Sequence, residues 1–195
     1  MEPLDWEKKR ALIRDYDELA SVYDSLYREE QYLKIESALG AISLEDSDFV
    51  LDVGCGTGLL FDRVKDSANL IVGFDLSPGL LKIAAERRRK LQRESSIHLI
   101  RADADYMPFP KAVFGKVFAL TLLQNLPDPN KTLREMMRVA KAGSMMVITG
   151  LKKCFSEEML RNILNVASLD SSTVTGKQTQ DIIAVCRKAH NTKDK

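Results

Sequence analysis

The segment Leu51-Asp52-Val53-Gly54-Cys55-Gly56-Thr57-Gly58-Leu59-Leu60 constrains the fold more than any other part of the 195-residue chain. It puts three glycines within five residues, directly after the apolar run Phe49 to Val53. Such glycine density is poor material for a helix or strand, so its role is conformational or steric. A glycine-rich turn between a strand and a helix is how a doubly wound sheet offers main chain to a ligand, at the carboxyl end of its first strand. Asp75 closes the next β-type run 21 positions after Gly54, where a carboxylate accepts hydrogen bonds from two ribose hydroxyls. The dinucleotide pattern G-x-G-x-x-G would need glycine at 59, but that position holds Leu59 and the third glycine is Gly58. The spacing therefore favours a ribose-bearing ligand other than a dinucleotide.

The rest of the chain fits a parallel sheet. Apolar runs suited to strands buried on both faces recur at Leu70–Phe74, Ile97–Ile100, Val117–Leu120 and Met145–Thr149. Between them lie helix signals. Ser77-Pro78 opens one pattern through Leu80, Leu81, Ile83 and Ala84, and Asp128-Pro129 opens another through Leu133, Met136, Met137 and Ala140 that is expected to stop at Gly143. Ahead of the glycine turn, apolar residues from Asp15 to Leu39 recur at helical spacing, with Gly40 as the stop. At the other end, Ser156–Val166 reads as a helix, and Ser172–Thr175 and Asp181–Cys186 as two strands joined by Gly176-Lys177-Gln178 into an antiparallel edge hairpin. The length predicts one domain, with a helical lead over 1–45, a ligand-binding core over 46–188 and a polar tail over 189–195.

Lys and Arg total 29 against 28 for Asp and Glu, so no bulk field draws the chain to nucleic acid or an anionic membrane. Three widely spaced cysteines argue against a disulfide framework and a four-ligand zinc site, and no ligand set suggests a metal. Met1 to Arg10 lacks the apolar run of a signal peptide and no stretch is long enough for a membrane span, so a soluble cytoplasmic protein is expected.

The segments Asp52 to Gly58, Gly73-Phe74-Asp75-Leu76-Ser77 and Arg101 to Phe109 together resemble the first three motifs of class I S-adenosylmethionine-dependent methyltransferases, of the broad type 11 group. The likeness runs from about residue 15 to 188, and Tyr16 to Asp24 is similar to the helical lead that closes over the cofactor in that group. It implies a Rossmann-like, doubly wound, seven-stranded α/β sheet, mostly parallel with an antiparallel C-terminal hairpin strand. It also implies S-adenosylmethionine as cofactor. Gly54, Cys55, Gly56 and Gly58 would pass its methionine part, with Asp52 orienting the ammonium group. Asp75 would take the ribose hydroxyls and Leu76 would lie against the adenine. Asp103 would accept from the adenine amine, with the Ala104 amide beside it. Leu120 and Thr121 would flank the sulfonium, and Tyr23 would close the pocket. Displacement at a sulfonium proceeds by alignment and exclusion of water, without a strong acid or base. That suits a chain whose two histidines are His98, in an apolar run, and His190, in the tail.

The acceptor is less legible. In place of the Asn-Pro-Pro-Tyr type motif of some amine-modifying relatives stands Thr121-Leu122-Leu123-Gln124-Asn125-Leu126, so Thr121, Gln124 and Asn125 are the candidates for positioning an acceptor. Arg87, Arg88, Arg89 and Lys90 form a local positive run that either contacts phosphates or is a solvated helix face. RNA or a translation-related protein is the first acceptor expected, with a small metabolite next. The chain has no insertion for acceptor recognition, so an activator subunit or homodimer is a further expectation. The apolar stretch from Cys154 to Leu164 either serves such a partner or packs on the sheet. A non-catalytic cofactor-binding subunit and a nicotinamide-dependent oxidoreductase are the alternative classes.

Overall fold

A computed structural model describes residues 3–174 and 179–189. The elements are α1 (Pro3–Leu39), β1 (Phe49–Val53), α2 (Phe61–Val64), β2 (Leu70–Asp75), α3 (Pro78–Lys90), β3 (Ile97–Arg101), β4 (Phe114–Ala119), α4 (Pro129–Val139), β5 (Ala140–Leu151), α5 (Glu157–Val166), β6 (Asp170–Val174) and β7 (Asp181–Arg187). They build one seven-stranded sheet in the order β3-β2-β1-β4-β5-β7-β6. The first five strands in that order pair in parallel, and β7 runs antiparallel to both neighbours. The expected α/β class and its C-terminal reversal are thus both present.

Alternation along the central strands divides the core into two layers. Leu51, Val117, Met146 and Ile148 face Leu133 and Met136 of α4 and Leu160 and Leu164 of α5. Val50, Ile71, Phe118 and Val147 face Ile35 and Ala38 of α1, Phe61 of α2 and Ala84 of α3. Fully burying a side chain of this size is worth about 1.5–3 kcal/mol, so the central strands need helices on both faces. Helix starts follow local chemistry: Ser77 and Ser156 accept from the amides of Leu80 and Met159, Asp128 accepts from Asn130, and Pro78 and Pro129 open their helices.

Several boundaries differ from the sequence expectation. The lead is a single 37-residue helix that starts twelve residues before the apolar periodicity does. Its first turns are held by Lys9 and Asp17, which no apolar pattern reveals. The helix after the glycine turn is only four residues long. The α4 pattern stops at Val139 rather than Gly143, because Ala140 already enters the strand ladder beside Phe114. β4 begins earlier than expected and ends at Ala119, so Leu120 lies beyond it. His98 is exposed on the edge strand β3, not buried. Leu160 and Leu164 pack on the sheet while Met159 stays outside, so the stretch after Cys154 is mainly core. The expected turn over 176–178 and the tail from His190 lie outside the described residues.

Candidate functional site

The chain leaves β1 in one direction for β2 and β3 and returns through β4 and β5 on the other side. In such a sheet the crevice for a ligand opens at the carboxyl ends of the two strands flanking the switch, here β1 and β4. Gly54, Gly56 and Gly58, in the turn after β1, take φ values of 72°, 54° and 77°, a region that side chains disfavour. The amides of Gly54 and Cys55 both donate to the Phe74 carbonyl, at 2.9 and 3.0 Å, and tie the turn to the end of β2. Asp75 completes the seam, accepting from Gly56 N at 3.0 Å and from Ser77 N at 2.9 Å.

The three glycines do different work. A Cβ at Gly56 would meet nothing within 4 Å, because that position faces open cavity. A Cβ at Gly54 would come within 2.9 Å of Leu122 Cδ1, where the turns after β1 and β4 face each other across the crevice. At Gly58 it would lie 2.4 Å from the Phe61 ring, so this glycine serves packing and lines neither cavity described below.

Two cavities share the walls Tyr23, Gly54, Gly56 and Leu120. The larger, about 770 Å³ and partly open to solvent, carries Asp75, Leu76, Asp103 and Ala104, with Leu12, Ile13 and Tyr16 of α1 as its roof. The smaller, about 370 Å³, carries Asp52, Cys55 and Thr57, with Gln31 and Ile35 of α1. Asp52 is buried and accepts no hydrogen bond from any described residue. Its burial, and then the neighbouring Asp75 charge, push its pKa up to about 8. Burial also raises Asp75, against the opposing pull of the Ser77 and Gly56 amides. Burial raises Cys55 and the hydroxyls of Tyr16 and Tyr23, so the site holds no activated thiolate or phenolate.

Polar contacts to the core recur along α1. Lys9 Nζ lies 2.8 Å from both Asp103 carboxylate oxygens and 2.5 Å from Asp105 Oδ2. Burial pulls the Lys9 pKa down, but the two carboxylates outweigh it and hold the ammonium charged. Asp17 accepts from Gly79 N and Ser77 Oγ at the start of α3. Asp24 accepts from Thr57 and Arg87, and Arg87 also binds Asp62 and the Thr57 carbonyl. Beyond β4, Thr121 has φ 57° although it is β-branched.

Of the residues expected at the site, Tyr23, Asp52, Gly54, Cys55, Gly56, Asp75, Leu76, Asp103, Ala104, Leu120, Thr121 and Asn125 line one cavity or both. Gly58 and Gln124 line neither; Gln124 Nε2 instead caps the Thr121 carbonyl at 2.8 Å. Asp103, expected to meet an adenine amine, is already bonded to Lys9. The basic run divides. Arg87 turns inward to its carboxylates and Arg88 reaches the Ile97 carbonyl, leaving Arg89 and Lys90 exposed. A four-residue phosphate-binding face is therefore not formed. The sequence reading missed Lys9, Leu12, Ile13 and Gln31. For the first of these, the available signal was a lysine one turn before the apolar pair Leu12-Ile13. Among the described residues no cluster of His, Cys, Asp or Glu could hold a metal ion.

Comparison with known proteins decides what this crevice belongs to. Residues 51–148 match a family described as a methyltransferase domain. A 2-phytyl-1,4-naphtoquinone methyltransferase of Synechococcus elongatus is 31% identical over 176 residues, covering 87% of this chain and 75% of that protein. The chain belongs to the S-adenosylmethionine-dependent methyltransferases. A malonyl-[acyl-carrier protein] O-methyltransferase of Marinomonas is 32% identical over 74% of this methyltransferase, which spans 53% of that relative's length. An uncharacterized protein of Methanocaldococcus jannaschii is 31% identical over 80% of the chain, which spans 58% of it. Among solved structures, a methyltransferase of Aquifex aeolicus superposes with a TM-score of 0.76 at 20% identity, over 88% of this chain and 97% of that one. A putative methyltransferase of Haloferax volcanii, in complex with the Trm112 activator, gives 0.77 at 17% identity, over 90% and 98%. S-adenosylmethionine is the cofactor this family uses, and no described helix is long and apolar enough to cross a membrane.

Proposed function

We propose that this methyltransferase binds S-adenosylmethionine across both cavities and transfers its methyl group to a small, largely apolar acceptor. Bound there, the cofactor supplies an electrophilic methyl group on a sulfonium. Asp75 and Leu76 hold the ribose and adenine in the larger cavity, with Asp103 and Ala104 at the far edge of the base. Asp52 and the glycine turn hold the amino-acid end in the smaller one, which puts the reactive sulfur at the shared wall of Tyr23, Gly54, Gly56 and Leu120. The residues fit that group on two counts. The Asp52 carboxyl has no hydrogen-bond donor and would gain one from an ammonium, and Gly56 leaves space that a side chain would fill. The chain's own part in the reaction is to align the acceptor and exclude water around it.

The observation that favours a small acceptor over RNA is the charge of the walls. Their one cation among the described residues is Lys9, and Asp103 and Asp105 consume it. Leu12, Ile13, Tyr16, Leu122 and Leu126 give the larger cavity a mainly apolar lining elsewhere. The quinone-modifying relatives accord with such walls. The test is methyl-labelled cofactor offered with reduced demethylated naphthoquinones, a malonyl thioester and bulk transfer RNA. Label in the quinol supports the proposal; label in the anionic thioester or in RNA alone overturns the acceptor class.

A further inference from the structure

Lys34, on the last third of α1, is completely buried, and cofactor binding as described leaves it without a role. Its Nζ lies 2.5 Å from Thr121 Oγ1, 3.0 Å from Asp181 Oδ2 and 3.3 Å from Glu30 Oε1. Thr149 Oγ1 closes the circuit, donating to Asp181 Oδ2 at 2.7 Å while accepting the Thr121 amide at 2.8 Å. Lys34, Thr149 and Asp181 are all fully buried, so this ring joins α1, the segment after β4, β5 and β7 inside the protein. Burying two opposite charges is costly, and apolar residues of the same volume often stabilise a core as well or better. The location of the ring is therefore more informative than its strength.

Thr121 is the one member of the ring that reaches a cavity wall. All its polar atoms are held: the amide by Thr149, the hydroxyl by Lys34 with Gln31 beside it, and the carbonyl by Gln124 and Asn125. These bonds impose a left-handed conformation that a β-branched residue resists, and backbone strain of this kind collects where geometry matters to function. The residue before it, Leu120, lines both cavities at their junction.

We propose that Lys34 is a positioning residue for methyl transfer. By holding Thr121 it fixes the wall at the junction of the two cavities, and with it the seat of the S-methyl group. This rests on the placement of S-adenosylmethionine proposed above.

The test uses three ligands that occupy the site to different extents: adenosine, S-adenosylhomocysteine and S-adenosylmethionine. The last two differ by the methyl group and the charge it carries. Removing Lys34 alone would strand Asp181, whose Oδ1 already lacks a partner, so the variant is the double Lys34→Met/Asp181→Asn. Thr121→Ala removes the held hydroxyl and Thr121→Ser restores it. Calorimetric titration should show adenosine affinity within twofold of the parent in all three variants. S-adenosylmethionine should lose at least fivefold more affinity than S-adenosylhomocysteine in the double variant and in Thr121→Ala, with Thr121→Ser within twofold of the parent. Equal losses for all three ligands, or an unchanged ratio in a variant with a cooperative melt, overturn the proposal. If the double variant does not fold, the Ala and Ser pair decides by the same ratio. A parent chain that binds neither sulfur ligand overturns the cofactor placement itself, and this proposal with it.

Discussion

Replacing Asp52 by Asn should change how cofactor affinity depends on pH. In the free protein burial and the Asp75 charge hold the Asp52 pKa at about 8, so at pH 7 roughly one molecule in eleven carries the carboxylate. The amino-acid end of the ligand presents an α-ammonium with a pKa of about 8, and the favoured bound pair is carboxylate with ammonium. Binding near pH 7 must then expel about one proton, which costs about 1.4 kcal/mol, or tenfold in affinity, for each pH unit below 8. Above pH 8 the ligand's own amine loses its proton and affinity falls again, so the optimum lies near pH 8. Titration calorimetry at pH 6.5, 7.5 and 8.5, in buffers of different ionisation enthalpy, counts the protons directly. Adenosine, which lacks the amino-acid end, separates any share due to Asp75. Asp52→Asn should abolish the proton release, flatten the acid limb and cost about 1.5–3 kcal/mol at pH 8 through the lost charge-assisted bond. Affinity flat from pH 6 to 8 in the parent, or proton release that survives in Asp52→Asn, would refute the reasoning.

The same substitution should raise the Tm of the ligand-free protein. A folded pKa above the ordinary 3.8 means that stability is lost as pH rises from 3.8 through about 8, so the gain from Asn is absent at pH 4 and full above pH 8. Asp75→Ala should weaken adenosine binding about ten- to a hundredfold, measured by calorimetry, through loss of a charged acceptor for the ribose. Gly56→Ala and Gly58→Ala should separate binding from folding. The first keeps its Tm within a few degrees but loses ligand affinity; the second meets Phe61 and loses about 2 kcal/mol or more of stability in a denaturant melt. Lys9→Met leaves Asp103 and Asp105 facing each other and should cost about 3–5 kcal/mol of local stability. Faster hydrogen exchange in the first half of α1, and altered fluorescence of Trp6, the chain's one tryptophan, would report it.

The sheet was legible because its signal is local: doubly buried strands read as apolar runs, and a proline after Ser or Asp marks a helix start. The glycine turn and Asp75 were legible for the same reason, since their spacing encodes a backbone shape. What escaped depends on residues far apart in sequence. Lys9 meets Asp103 94 positions away and Lys34 meets Thr121 87 positions away, and no periodicity announces a buried cation. Arg87 and Arg88 could have been placed better. They lie three and four residues after buried Ala84 and seven and eight after buried Leu80, so one face of α3 carries them inward whatever their charge. Gly56 and Gly58 are indistinguishable as letters; the Phe61 ring separates them.

Lys9, Asp17 and Asp24 fix the first two thirds of α1 through polar bonds to three different segments, while Lys9, Leu12, Ile13 and Tyr16 supply walls of the larger cavity. A ligand held against those walls can leave only at the expense of contacts made by the helix, and a helix that lifts takes part of the site with it. Occupancy and helix docking are therefore thermodynamically linked: each kcal/mol by which a ligand favours the docked helix is a kcal/mol added to the work of lifting it. Ligand affinity and the opening free energy of α1 would then move together when ionic strength weakens the polar bonds, even though the sheet beneath stays intact.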